Sequence, residues 1–173
     1  MINIVLCQPE IPQNTGNIMR TCVGTNTKIH LIKPLGFKID DAKLRRSAVD
    51  YYDKLYFEVH ESLDDFMKKH QGSYFFFTRY GKNNYTEVNY KDIKEDIYLI
   101  FGSESYGIDR LFLKNHLDKT LRIPINDKIR SLNLANSVSI ALYEVLRQKK
   151  FPGLYDEEPT SLKGADYLKN FKE

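Results

Sequence analysis

The chain has 173 residues, 42% of them hydrophobic and 28% charged, with a formal net charge of +3 and a pI near 8.7. This size and balance describe one soluble globular domain that can bury a core without disulfide or metal staples. No apolar run approaches the roughly 20 residues that span a bilayer, and no signal peptide is visible, so membrane-spanning and secreted classes are set aside and the cytoplasm is expected.

In chain order, Ile2 to Cys7 reads as an apolar strand, and Pro9 and Pro12 then break the backbone. Asn14-Thr15-Gly16-Asn17 offers capping side chains for a helix expected over Thr15 to Val23, with Gly24-Thr25-Asn26 as its stop. Lys28 to Ile32 reads as a second strand closed by Pro34 and Gly36, and Asp40-Asp41 heads a short basic helix through about Ala48. Leu55 to Val59 reads as a strand, and Ser62 to His70 as a helix with Leu63, Phe66 and Met67 on one face.

The second half repeats this rhythm. Tyr74 to Thr78 and Ile97 to Phe101 are expected strands, Asp109 to Asn115 a helix, and Leu121 to Ile123 a short strand. Asn133 to Lys149 is the longest expected helix, with Leu134, Val138, Ala141, Leu142 and Val145 at helical spacing. Alternating strands and helices imply an α/β fold, a mainly parallel sheet flanked by helices. After Phe151-Pro152-Gly153 the composition turns polar, so a domain over residues 1–155 and a loosely docked tail over 156–173 are expected.

Two loops concentrate the chemistry. Phe101-Gly102-Ser103-Glu104-Ser105-Tyr106-Gly107-Ile108 follows one strand, and Ile123-Pro124-Ile125 through Ser131-Leu132-Asn133-Leu134 follows another and runs into the longest helix. Open α/β sheets bind ligands in loops at the carboxyl ends of their strands, so the two loops point to one site. A dinucleotide-binding domain is argued against, because no Gly-x-Gly-x-x-Gly follows a strand and no Walker Gly-Lys-Ser/Thr is present.

Charge is unevenly spread. Lys33, Lys38, Lys43, Arg45 and Arg46 crowd one region, and Lys128 and Arg130 stand in the late loop. Such a stripe is either a phosphate-backbone footprint or a solvated face. Cys7 and Cys22 fall in an expected strand and helix and read as buried free thiols, not nucleophiles. His30, His60, His70 and His116 show no ligand spacing along the chain, so no metal is expected.

Asn3-Ile4-Val5-Leu6 followed by Pro9-Glu10-Ile11-Pro12-x-Asn14-Thr15-Gly16-Asn17-Ile18-x-Arg20 resembles the first motif of the SPOUT methyltransferases. Phe101-Gly102-x-Glu104-x-x-Gly107 resembles the second, and Ile123-Pro124-Ile125 with Ser131-Leu132-Asn133-Leu134-x-x-x-Val138 the third. Pro34-x-Gly36-Phe37 and Leu44-Arg45-Arg46-x-x-x-Asp50-Tyr51 favour the small tRNA ribose 2′-O-methyltransferases that act on the anticodon wobble nucleotide. The likeness covers about residues 1 to 155 and excludes the tail.

The resemblance implies a deep trefoil knot in the C-terminal half, with S-adenosylmethionine as the cofactor bound in it. It implies cofactor contacts from Phe77, Gly102, Ile123, Ser131 and Leu132, a catalytic Arg20, and supporting roles for Asn14, Glu104 and Asn133. It implies a homodimer, with the arginine of one subunit approaching the cofactor of the other, and the anticodon stem-loop of tRNA as substrate. Taken alone, Phe77 and Ile123 could be core, Gly102 and Gly107 turn residues, Arg20 a solvent-facing side chain and Glu104 a helix cap. The rival functions are methylation of another tRNA or rRNA ribose, and a non-catalytic RNA-binding factor on the same scaffold.

Overall fold

The computed structural model describes residues 1–39 and 54–171. The expected basic helix from Asp40, with Lys43, Arg45 and Arg46, and the stretch Leu44 to Tyr51 lie outside the described residues.

The strands are β1 (Ile2–Cys7), β2 (Lys28–Ile32), β3 (Phe57–His60), β4 (Ser73–Phe77), β5 (Asn83–Asn84), β6 (Ile97–Phe101) and β7 (Thr120–Arg122). The helices are α1 (Pro12–Gly24), α2 (Leu63–Lys69), α3 (Arg110–Lys114) and α4 (Leu134–Gln148). The strands form one sheet in the order β3-β2-β1-β6-β4-β7-β5, and every pairing in it is parallel.

A parallel sheet covered on both sides needs strands that are apolar on both faces. β6 shows this directly: Ile97, Leu99 and Phe101 join the core beneath α1 and α4, while Tyr98 and Ile100 join the one beneath α2 and α3. β1 divides the same way, with Ile4 and Leu6 on the first side and Val5 and Cys7 on the second. Against the first side, α1 contributes Ile18, Met19 and Cys22, and α4 contributes Ala135, Val138, Ala141, Leu142 and Val145. Phe66 of α2 is fully buried on the second side, with Leu63 and Met67 packed beside it.

One local expectation is corrected. α1 starts at Pro12, whose fixed φ and missing N–H suit the first helical position, and no side chain caps it. Asn14, Thr15 and Gly16 are buried inside that helix, and the Asn14 amide finds its partners in other loops. The stretch between Thr78 and Ile97 holds the short edge strand β5 and two 3-10 turns anchored by fully buried Tyr90. Tyr143 of α4 is half exposed, and the nearby Ile140 is partly exposed.

Candidate active site

Register aligns the carboxyl ends of four neighbouring strands. Leu6 of β1 and Phe77 of β4 both stand opposite Phe101 of β6, and Leu121 of β7 stands opposite Phe77. The loops after β1, β6, β4 and β7 therefore leave one edge of the sheet, where ligands bind in open α/β folds. Phe77 and Phe101 stack there with ring centroids 4.7 Å apart, closing the core just below the loops.

Side chains from three loops are tied together above this edge. The Glu104 carboxylate accepts hydrogen bonds from the backbone N–H of Glu10 at 2.8 Å and Ile11 at 3.2 Å, and from Asn14 Nδ2 at 2.9 Å. Asn14 Oδ1 accepts from Asn133 Nδ2 at 3.0 Å. Asn133 also caps α4, its Oδ1 accepting from the N–H of Ala135 and Asn136. Glu10 answers in the other direction, accepting from Ser105 N–H at 3.1 Å and Ser105 Oγ at 2.7 Å. Charge-assisted bonds of this kind hold loops more firmly than neutral ones. Gly36 N–H adds a 2.9 Å bond to the Pro9 carbonyl, bringing the Pro34-to-Phe37 stretch against the same loop.

Gly102 shows why the second loop tolerates only glycine at its start. A Cβ there would lie 1.9 Å from the carbonyl carbon of Gly107, because the loop folds back on itself through a bridge between Ser103 and Gly107. The close approach at Gly102 is thus made by the loop's own backbone. Gly107 has φ +76°, a left-handed conformation that side chains resist.

The structure thus joins Asn14, Glu104 and Asn133 directly, and brings Phe77, Gly102 and Ile123 to one edge. Ile123 and Leu132 are half-buried and Ser131 is exposed in the loop leading to α4. Apolar side chains, one hydroxyl and backbone polar groups suit a neutral heterocycle with a ribose better than a metal or a polyphosphate. Arg20 is exposed on α1. Six residues of helix place it about 9 Å along the axis from Asn14 and about 120° round it by the shorter way.

Glu10 was missed as a site residue. Its signal is a carboxylate between two prolines in a loop directly after a central strand. The thiols are not nucleophiles: burial pushes the Cys7 pKa up to about 12 and raises that of Cys22 as well. His30, His60 and His70, scattered along the chain, meet on the opposite face of the sheet.

With this geometry in view, the comparisons are specific. The model of the SpoU rRNA methylase family matches residues 1–143. A protein of Listeria monocytogenes, provisionally named a tRNA (cytidine(34)-2'-O)-methyltransferase, is 46% identical over 156 residues, covering 90% of this chain and 92% of that one. The tRNA (cytidine(34)-2'-O)-methyltransferase of Saccharophagus degradans is 41% identical over 155 residues, covering 88% of this chain and 99% of its own. A solved structure described as giving insights into 2-OH methylation of C/U34 on tRNA superposes with a TM-score of 0.78 at 38% identity, covering 87% of this chain and 97% of that one. A SpoU methyltransferase of Streptomyces viridochromogenes, solved with the cofactor AdoMet, has a TM-score of 0.74 at 21% identity, covering 86% of this chain and 57% of that one, and shares the fold.

A parallel α/β sheet with three motif loops gathered at one edge defines a methyltransferase-type site. The chain belongs to the SpoU methylase family, as its three motifs imply. No helix among the described residues is long and apolar enough to cross a membrane.

Proposed function

We propose that the protein transfers a methyl group from S-adenosylmethionine to the ribose 2′-hydroxyl of the wobble nucleotide of tRNA, position 34, a cytidine or modified uridine. The observation that carries this reading is the Glu104–Asn14–Asn133 chain of hydrogen bonds. It unites the three motif loops in a chain that keeps 41% identity with a tRNA (cytidine(34)-2'-O)-methyltransferase over nearly that protein's full length.

When bound, S-adenosylmethionine supplies an electrophilic methyl group on a sulfonium centre. Phe77, Gly102, Ile123, Ser131 and Leu132 would hold the cofactor, with backbone groups of Phe77, Ile123 and Leu132 available to the adenine edge and the Ser131 hydroxyl to a polar contact. Glu104 and Asn133, joined through Asn14, hold the loop after β6 and the start of α4 against α1, which would orient the methyl donor toward the 2′-oxygen. Orientation of this kind lowers barriers by several kcal/mol, up to about 7–11 in the best cases. Arg20 clamps a substrate phosphate and stabilises the developing alkoxide. A guanidinium stays protonated in proteins, so the hydroxyl proton leaves to water or to the substrate itself.

The chain works as a homodimer in this reading. Arg20 is exposed on α1, which is compatible with delivery to the partner subunit's cofactor. Ile140 and Tyr143 on α4 supply exposed apolar surface for such an interface. The backbone passes through a trefoil knot formed by the loops around β4, β6 and β7, and residues 156–173 stand outside the catalytic unit. Tyr80, half exposed with Arg79 and Arg110 over its ring, offers an aromatic and cationic surface for RNA beside the site. The protein is expected in the cytoplasm with its tRNA. Calorimetric titration with S-adenosylmethionine tests the site: the wild type binds and Gly102→Val does not, whereas equal binding by both removes these loops from the cofactor.

A further inference from the structure

The face of the sheet opposite the methylation motifs carries a second cluster that the reaction does not use. His30 projects from β2, Glu58 and His60 from β3, and His70 terminates α2. One donor atom from each of the four lies within 4.8 Å of every other. His30 Nδ1 stands 3.0 Å from His60 Nε2, and Glu58 Oε2 stands 3.8 Å from His30 Nδ1, 3.6 Å from His60 Nε2 and 3.2 Å from His70 Nε2. The same four atoms recur in every one of these contacts.

Those spacings match a known coordination geometry. Ligands about 2.0–2.1 Å from a tetrahedral zinc ion stand roughly 3.3 Å from one another. We propose that His30 Nδ1, His60 Nε2, His70 Nε2 and Glu58 Oε2 form a four-coordinate site for a divalent transition metal, with zinc as the natural occupant. With all four positions filled by protein there is no open position for substrate, so the site is structural. It clamps β3 and the end of α2 to β2.

The surroundings prepare the donors. Asn3 is buried in central strand β1, and its Nδ2 donates to the Ile97 carbonyl at 3.3 Å, which turns Oδ1 toward His30 Nε2 at 3.5 Å. With the Nε2 proton pointed at Asn3 Oδ1, the Nδ1 lone pair faces the cluster, the outer-shell arrangement common to metal-binding histidines. Lys28 Nζ donates to Glu58 Oε1, which leaves Oε2 facing the three imidazoles. His30 and His60 are buried, while Glu58 and His70 are partly exposed and supply an entry path.

The test is titration of cobalt(II) into untagged full-length protein stripped with EDTA, read by visible absorption. Binding of one cobalt per chain with the intense bands of tetrahedral coordination, displaced by zinc, is expected. His70→Ala and Glu58→Gln change partly exposed residues and should fold, as checked by circular dichroism. Each should weaken cobalt binding at least about tenfold, the low end of what even outer-shell changes cause. No tetrahedral bands in the wild type, or wild-type affinity in either variant, would overturn the proposal and leave the imidazoles held by their own hydrogen bonds.

Discussion

Asn133 donates a 3.0 Å hydrogen bond to Asn14 across 119 positions of sequence, and the same Asn133 caps α4. Asn14 in turn donates to Glu104, so a single line of polar side chains links the start of α1, the loop after β6 and the start of α4. The motif loops are therefore one mechanical unit, and changes in any of them should be felt in the others.

Glu104→Ala leaves the Glu10 and Ile11 amides and the Asn14 side chain without their acceptor. Unfolding free energy should fall by about 1–3 kcal/mol, the cost of unsatisfied donors. Glu104→Gln keeps one acceptor oxygen and should lose less. Urea denaturation measures both, and an unchanged midpoint for the alanine variant would show that water replaces the carboxylate.

Asn133→Ala removes the cap of α4 and the bond to Asn14 together. A stability loss of about 1–2 kcal/mol is expected from the cap alone. Weaker S-adenosylmethionine binding should accompany it, and Asn133→Ser, which still caps, should recover most of the stability but not all of the binding. Calorimetric titration beside urea denaturation separates the two effects.

Arg20→Ala should stay within about 0.5 kcal/mol of wild-type stability, as surface substitutions do. Cofactor affinity should be unchanged and methyl transfer abolished. Arg20→Lys keeps the charge without the planar fork and should recover only a small part of the rate. Equal losses of cofactor binding and transfer would make Arg20 a structural residue.

Alkaline pH should destabilise the fold. An unshifted thiol ionises near pH 9, whereas the buried Cys7 holds its proton to about 12 and Cys22 is raised too. Between those values the native state binds more protons than the unfolded state, so stability falls as pH rises through the window and is unaffected below it. Each thiol contributes up to about 1.4 kcal/mol per pH unit. Tyr98, also raised to about 12, acts in the same direction. Urea midpoints collected across this range should show the decline, and Cys7→Ala with Cys22→Ala should flatten it.

The strands were legible because a sheet covered on both faces needs unbroken apolar runs, and Ile97 to Phe101 was read with its observed bounds. The Leu63, Phe66 and Met67 face of α2 followed from helical spacing in the same way. Asn14 was read as a cap because its residue type favours that role, yet Pro12 starts the helix and tertiary partners claim the side chain. Glu10 and the histidine cluster were hidden for a related reason. Their partners lie on other strands, and only the register of β1 with β6 and of β2 with β3 brings them together.

The most direct test of the account is transfer of labelled methyl from S-adenosylmethionine to bulk tRNA lacking its own modifications, followed by mapping of the labelled nucleotide. The account predicts label on the ribose 2′-oxygen of position 34 with the wild type and none with Arg20→Ala. Label confined to another ribose, or transfer that survives in Arg20→Ala, would contradict it.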